Sequence, residues 1–218
     1  MRPPDELRDR VARDLRPVRP LLKPWQRVLL LVPAAVLIFV AGPYAYGLRS
    51  DLSHIGPLLA WGGSIAQLVV ALILIAVALR EAVPADAAPR TSARVLLLFG
   101  TGLIVLIGLV TNVVSPEPVA RVETFFDWYY CWRGAVLVGV PLLLALIVLL
   151  MRGLVMRPML AGALAGMGTG AAVDGGWRLS CNYSSPAHVL GSHGGAVLAL
   201  TLLGVVVMFV ATRNSPKK

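Results

Sequence analysis

The side chains in this chain best suited to metal or redox chemistry are two cysteines, Cys131 and Cys181, and three histidines, His54, His188 and His193. Thiolate with imidazole suits zinc, cadmium or copper(I), and thiols also form disulfides or react with oxidants. The five residues are scattered rather than gathered in a CxxC pair, so spacing alone does not select among these chemistries. Three readings of the cysteines stand side by side. They form a structural disulfide, which needs Cα atoms within about 7 Å; they are a thiol pair that senses soft metal or oxidant; or they are two unrelated buried thiols that only pack. His188 and His193 are five positions apart, roughly 140° around a helix of 3.6 residues per turn, so an α-helix is expected to point them in different directions. His193, followed by Gly194-Gly195, reads as a hydrogen-bonding partner of a neighbouring helix.

The elements that must position these groups follow from composition. Of 218 residues, 57% are hydrophobic and 14% are charged, with a mean hydropathy of +0.78. A soluble domain carries about 25% charged residues, so a soluble enzyme, a disordered chain and a small disulfide scaffold are all excluded. The expectation is an all-α polytopic membrane protein, a bundle of six transmembrane helices. A helix needs about 20 residues to cross a bilayer. Six stretches qualify: Val28 to Gly47, Gly56 to Leu79, Val95 to Val114, Gly134 to Met151, Pro158 to Trp177 and Val189 to Thr212. Residues 1–27 then form a basic N-terminal segment, 28–212 the transmembrane domain and 213–218 a short tail. The first span is read as an anchor that stays, because Gly42-Pro43-Tyr44-Ala45-Tyr46 makes a poor cleavage site.

Orientation follows from the loops. The chain has 20 Lys and Arg and a net charge of +9. Sixteen of those basic residues fall in residues 1–27, the loops after spans two and four, and the C-terminus; Arg49, Arg121, Arg133 and Arg178 fall on the other side. The positive-inside rule makes the richer side cytoplasmic and predicts both termini there. The charge therefore orients the chain and does not mark a direct nucleic-acid surface. Tyr44, Tyr46, Trp128, Tyr129, Tyr130, Trp132, Trp177 and Tyr183 fall at the opposite, outer ends, as a headgroup-level aromatic belt would. All five Cys and His residues are then expected outside, in an oxidising compartment that supports disulfides.

On the cytoplasmic side there is no nucleotide-binding glycine loop and no catalytic cluster, so no catalytic residue is assigned and an enzyme is not expected. Residues 1–27 are the exception to an otherwise plain face. Asp5 and Glu6 follow Pro3-Pro4 as a helix start, and Leu7, Val11 and Leu15 recur every four residues as a narrow apolar stripe. About three turns end before Pro17. This segment reads either as a basic leader touching anionic membrane lipid or as a partner-docking helix, with Leu7, Val11, Leu15, Arg16 and Arg19 as the contact residues. In the fifth span, Gly162, Gly166 and Gly170 form consecutive small-xxx-small steps, suited to intramolecular packing or to a homodimer. Asp174, the one acid within an expected span, is placed near its outer end, reached by water or paired with Arg178.

Four pieces of sequence resemble the NrsF family of bacterial membrane anti-sigma factors, which regulate sigma factors of the extracytoplasmic-function class. They are Asp14-Leu15-Arg16-Pro17-Val18-Arg19-Pro20-Leu21; Cys131-Trp132-Arg133; Arg157-Pro158-Met159-Leu160-Ala161-Gly162; and Cys181-Asn182-Tyr183-Ser184-Ser185-Pro186-Ala187-His188, continuing through Val189-Leu190-Gly191-Ser192-His193-Gly194-Gly195. The resemblance covers nearly the whole chain. It implies a sigma factor held at the inner membrane and released by an outer stress, soft metal or oxidant, with the family's functional cysteines falling on Cys131 and Cys181. His188 and His193 complete a candidate donor set for a transient soft metal ion, with no resident cofactor expected. The competing reading is a small transporter, or another integral membrane protein with a static outer disulfide. Against a transporter, the spans carry few ionisable residues.

Overall fold

The computed structural model of the chain describes residues 5–14, 22–84, 87–114 and 124–213. Among these every regular element is helical. A short helix α1, Asp5–Asp14, precedes α2, Pro24–Tyr46. A one-turn helix α3, Leu52–Ile55, leads into a π-helical turn, Leu58–Gly62, that continues as α4, Gly63–Arg80. Then come α5, Arg90–Val114; α6, Phe125–Met151; and α7, Pro158–Trp177. The last helix is built in three pieces: α8, Pro186–His188; a π-helical stretch, Val189–Gly194; and α9, Gly195–Arg213.

Local chemistry explains the helix starts. Pro24, Pro158 and Pro186 stand in the first turn of their helices, where a missing N–H costs nothing. Thr124 opens α6 with a reciprocal cap: its hydroxyl accepts from the Asp127 amide, and Asp127 accepts from the Thr124 amide at 2.9 Å. The short helix expected within the basic N-terminal segment is α1. The side chains of Leu7 and Val11, and all of Leu15, Arg16 and Arg19, lie outside the described residues.

Among the described residues five helical segments are long and apolar enough to cross a membrane: Trp25–Tyr46, Leu58–Arg80, Arg90–Val114, Phe125–Met151 and Pro186–Arg213. Six were expected. The remaining one, α7, is a full 20-residue helix that does not reach the same apolarity, with six glycines and Asp174 among its residues. It is buried from Leu164 through Trp177 without a break. A helix wrapped by other helices needs small residues for close approach more than it needs an apolar outer surface.

The glycines show how that approach is made. A Cβ on Gly162 would overlap the Gly204 carbonyl, and one on Gly166 would overlap the Leu200 carbonyl, both on α9. A Cβ on Gly170 would lie 2.9 Å from Val197 Cα on the same helix. Gly168 does the same against α4, and Gly176 against Phe39 of α2. The small-xxx-small stripe is therefore spent inside the chain. Around it Leu74, Ile75 and Leu79 of α4, Leu143, Leu146 and Leu150 of α6, Leu164 of α7, and Leu200 and Met208 of α9 make the core. On the outside, Leu37, Leu98 and Val113 are more than two-thirds exposed, an apolar exterior suited to lipid.

The two ends are pinned by polar contacts. At the end away from the cysteines, Glu81 is fully buried and takes both guanidinium branches of Arg157 at 2.7 Å; Arg157 also donates to the Ala88 carbonyl, and Arg27 donates to the Leu79 carbonyl at 2.8 Å. At the other end Arg49 pairs with Asp51 and donates to Ser184 Oγ at 2.6 Å.

The glycine packing makes a contrast that can be measured. Gly166→Val should lower the thermal stability of the detergent-solubilised chain by about 1–3 kcal/mol, because the new methyls meet backbone rather than a movable side chain. Gly102→Ala, on an α5 face with nothing within 4 Å, should leave stability unchanged or raise it by up to about 1 kcal/mol through helix propensity.

Candidate functional site

Cys131 lies on the second turn of α6, placed there by the Thr124–Asp127 cap. Cys181 lies in the connection between α7 and α8, which is held down from two sides. The Arg49 amide donates to the Leu179 carbonyl at 2.8 Å, and the Ser50 amide donates to Asn182 Oδ1 at 2.8 Å. Ser185 caps α8 by accepting from the His188 amide at 3.1 Å, which sets the start of the last helix. Ser192 Oγ donates to the Trp128 carbonyl at 3.1 Å, and Gly191 leaves room for the Trp128 ring. Those contacts dock the π-helical stretch onto α6.

These four anchors bring Cys131, Cys181, His188 and His193 together. One ligand atom from each lies within 4.8 Å of all the others. The two sulfurs are 3.8 Å apart and unbonded, and Cys181 Sγ is 3.4 Å from His188 Nε2. Cys131 is partly exposed; Cys181, His188 and His193 are buried. The Cys131 thiol beside it, and then its own burial, push the Cys181 thiol well above the ordinary cysteine range.

The helical-wheel expectation for the histidines fails for a definite reason. Between His188 and His193 the chain is π-helical, with hydrogen bonding from i to i+5, so a residue five positions on sits about one turn above. The two rings therefore face the same side, with centroids 5.4 Å apart. The expected bond from His193 to a neighbouring helix is present as well: Nδ1 meets Asp174 Oδ1 of α7 at 2.7 Å. The other ring nitrogen, Nε2, is buried with no hydrogen-bond partner among the described residues.

Asp174 has partners other than those expected, and His54 lies in the connection between the first two spans, as expected. Asp174 is buried and bonds to His193 and to Gln67 Nε2 of α4, so water does not reach it, and Arg178 turns its guanidinium to Thr111 Oγ1 at 2.9 Å. His54 is exposed on α3 and outside the cluster. Gln67 had no signal in the sequence beyond being an amide within an apolar run. The π-helical register had none beyond the local glycines.

The donor set could hold a soft metal ion, with the wider separations of up to 4.8 Å closing slightly around it. Two sulfurs each about 2.3 Å from a tetrahedral zinc would be roughly 3.8 Å apart, as they are here. The His193–Asp174 bond repeats the carboxylate–histidine arrangement that orients metal ligands. The same sulfur separation also lies within reach of disulfide formation after a small movement. Access is from the thiol side. A cavity of about 290 Å³ is walled by Tyr46, Tyr130, Trp177 and Tyr183 and reaches both cysteines, while neither histidine lines it.

Comparison with known proteins bears on the whole chain. No curated protein and no solved structure matches it. Residues 11–213 match the model of the NrsF family, described as negative regulator of sigma F. That match takes in every element from within α1 to the end of α9, and with them both cysteines and both clustered histidines. The chain belongs to the NrsF family, and so to a family of negative regulators of a sigma factor.

Proposed function

We propose that this protein holds a sigma factor of the extracytoplasmic-function class at the bacterial inner membrane, and releases it when a soft metal ion is captured on the outer side by Cys131, Cys181, His188 and His193. The observation that carries the reading is the convergence of two thiols and two imidazoles from four anchored places in the chain. In this reading α7 crosses the bilayer with the other five helical segments, and both termini are cytoplasmic, following the distribution of basic residues. Residues 1–27 form the docking segment. Their basic residues also attract anionic lipid, and the apolar stripe of Leu7, Val11 and Leu15, flanked by Arg16 and Arg19, meets the sigma factor. The metal is a signal and not a resident cofactor, and no catalytic role is assigned.

The route from site to partner is mechanical. The site joins the start of α6, the connection after α7 and the helix that becomes α9. Helices α6 and α7 are joined at the opposite end by residues 152–157, where Arg157 at the start of α7 pairs with Glu81 at the end of α4. Capture of an ion favours one arrangement of this bundle over another, and the sigma factor binds only the metal-free arrangement.

The sulfur–sulfur distance of 3.8 Å favours a second reading of the same site, oxidation. There an oxidant takes two electrons, and the two thiols lose two protons as the Cys131–Cys181 bond forms. Thiol trapping in cells separates the two readings: cadmium leaves the pair reduced but protected, whereas oxidation leaves it disulfide-bonded.

Two outcomes are expected in cells. Replacing Cys131 and Cys181 together by Ser should abolish induction of the sigma-dependent promoter by cadmium while repression without the inducer persists; normal induction in that double variant contradicts the sensor reading. Pull-down of the intact protein should recover the sigma factor, and deletion of residues 1–27 should lose at least 10-fold of it. Undiminished recovery would move the docking surface elsewhere.

A further inference from the structure

We propose that Asp174 is a positioning residue that aims His193 into the thiol site, with Gln67 holding Asp174 in place; this rests on the metal-capture reading above. An ionised carboxylate accepts hydrogen bonds and donates none. The 2.7 Å contact between His193 Nδ1 and Asp174 Oδ1 therefore puts the ring proton on Nδ1. In the neutral ring, the form that can bind a metal, the lone pair is then on Nε2, which makes no geometric hydrogen bond among the described residues. A buried polar atom without a partner costs stability and calls for an explanation. The position of His193 among two sulfurs and a second imidazole supplies one: with Nδ1 held by Asp174, Nε2 is the nitrogen left to bind a metal.

The support behind Asp174 is equally specific. Its second oxygen accepts from Gln67 Nε2. His193, Asp174 and Gln67 are 3%, 2% and 1% exposed. They come from the π-helical stretch before α9, from α7 and from α4, so the ring is tied to two helices other than its own. Asp174 and Gln67 touch neither sulfur in the cluster, and their effect on it passes through His193. Partners of this kind fix the tautomer and orientation of a metal-binding histidine, and their loss costs about 10–100-fold in metal affinity.

The test is cadmium(II) titration of the purified full chain in nanodiscs, read by affinity and by the 113Cd resonance, whose position reports the nitrogen and sulfur ligands. Asp174→Asn should weaken binding by about 10-fold or more and move the resonance in the same direction as His193→Gln. Thiol alkylation in the metal-free protein should stay at the native rate. A variant with native affinity and native resonance overturns the proposal, as does weaker binding with the resonance unmoved, which is what a merely structural role gives. If the native chain binds no cadmium, or binds it unchanged without the cysteines, the metal-capture reading fails first and this inference falls with it. A measurement on the native metal-free chain needs no stable Asp174 variant. In 15N-histidine spectra the neutral His193 ring should carry its proton on Nδ1, and a neutral ring with its proton on Nε2 instead contradicts the assignment.

Discussion

Backbone meets backbone where α7 crosses α9, and the rest of the molecule is arranged around that contact. Gly162 and Gly166 lie directly on the α9 backbone at Gly204 and Leu200, and Gly170 lies against Val197 of the same helix. Lipid is as apolar as leucine, so helices in a membrane are not driven together by hydrophobicity; close van der Waals contact and interhelical hydrogen bonds do that work. A helix designed for contact on every side has little use for large apolar residues. That is why α7 is the most buried long helix and at the same time the one that falls short of the apolarity of a membrane span.

The same packing prepares the polar end. With α7 pressed against α9 on one face and α4 on another, Asp174 is carried to the level of His193 and Gln67. The connection after α7 is delivered beneath the first turns of α6, where Cys131 waits. None of the four clustered donors is brought in by sequence proximity alone: a cap on α6, a clamp from Arg49 and Ser50, a Ser185 cap and a π-helical stretch each contribute one element of the geometry. A site assembled from so many elements is sensitive to small relative movements of them, and by reciprocity a ligand that ties the donors together constrains those elements. The opposite end has its own fixed point in the pair of buried Glu81 with Arg157, which links α4 to the start of α7.

Much of this was legible from the sequence, for reasons that differ by residue. Long uncharged runs flanked by basic residues mark the helices, because bilayer thickness and backbone hydrogen bonding leave few other structures. Chemistry and side-sorting mark Cys131, Cys181, His188 and His193 as a candidate donor set, with His193 equally a hydrogen-bonding partner of a neighbouring helix and the family resemblance pointing at the cysteines. What stayed hidden was geometry. A wheel of 3.6 residues per turn separates His188 from His193, and only the π-helical register between them restores a shared face. Asp174 was visible as an isolated acid, but its partner could not be chosen, since Arg178 is one turn away in sequence whereas His193 is adjacent only in space. His54, equal to the other histidines on composition, is separated from them by the fold.

The central claim is that two thiols and two imidazoles act as one soft-metal site. X-ray absorption at the metal edge of the purified full chain, loaded with one equivalent of zinc(II), tests it most directly. The account predicts a four-coordinate ion with two sulfur ligands at about 2.3 Å and two imidazole nitrogens at about 2.0–2.1 Å. An ion without sulfur ligands, or one held by sulfur and water with no imidazole, would contradict it.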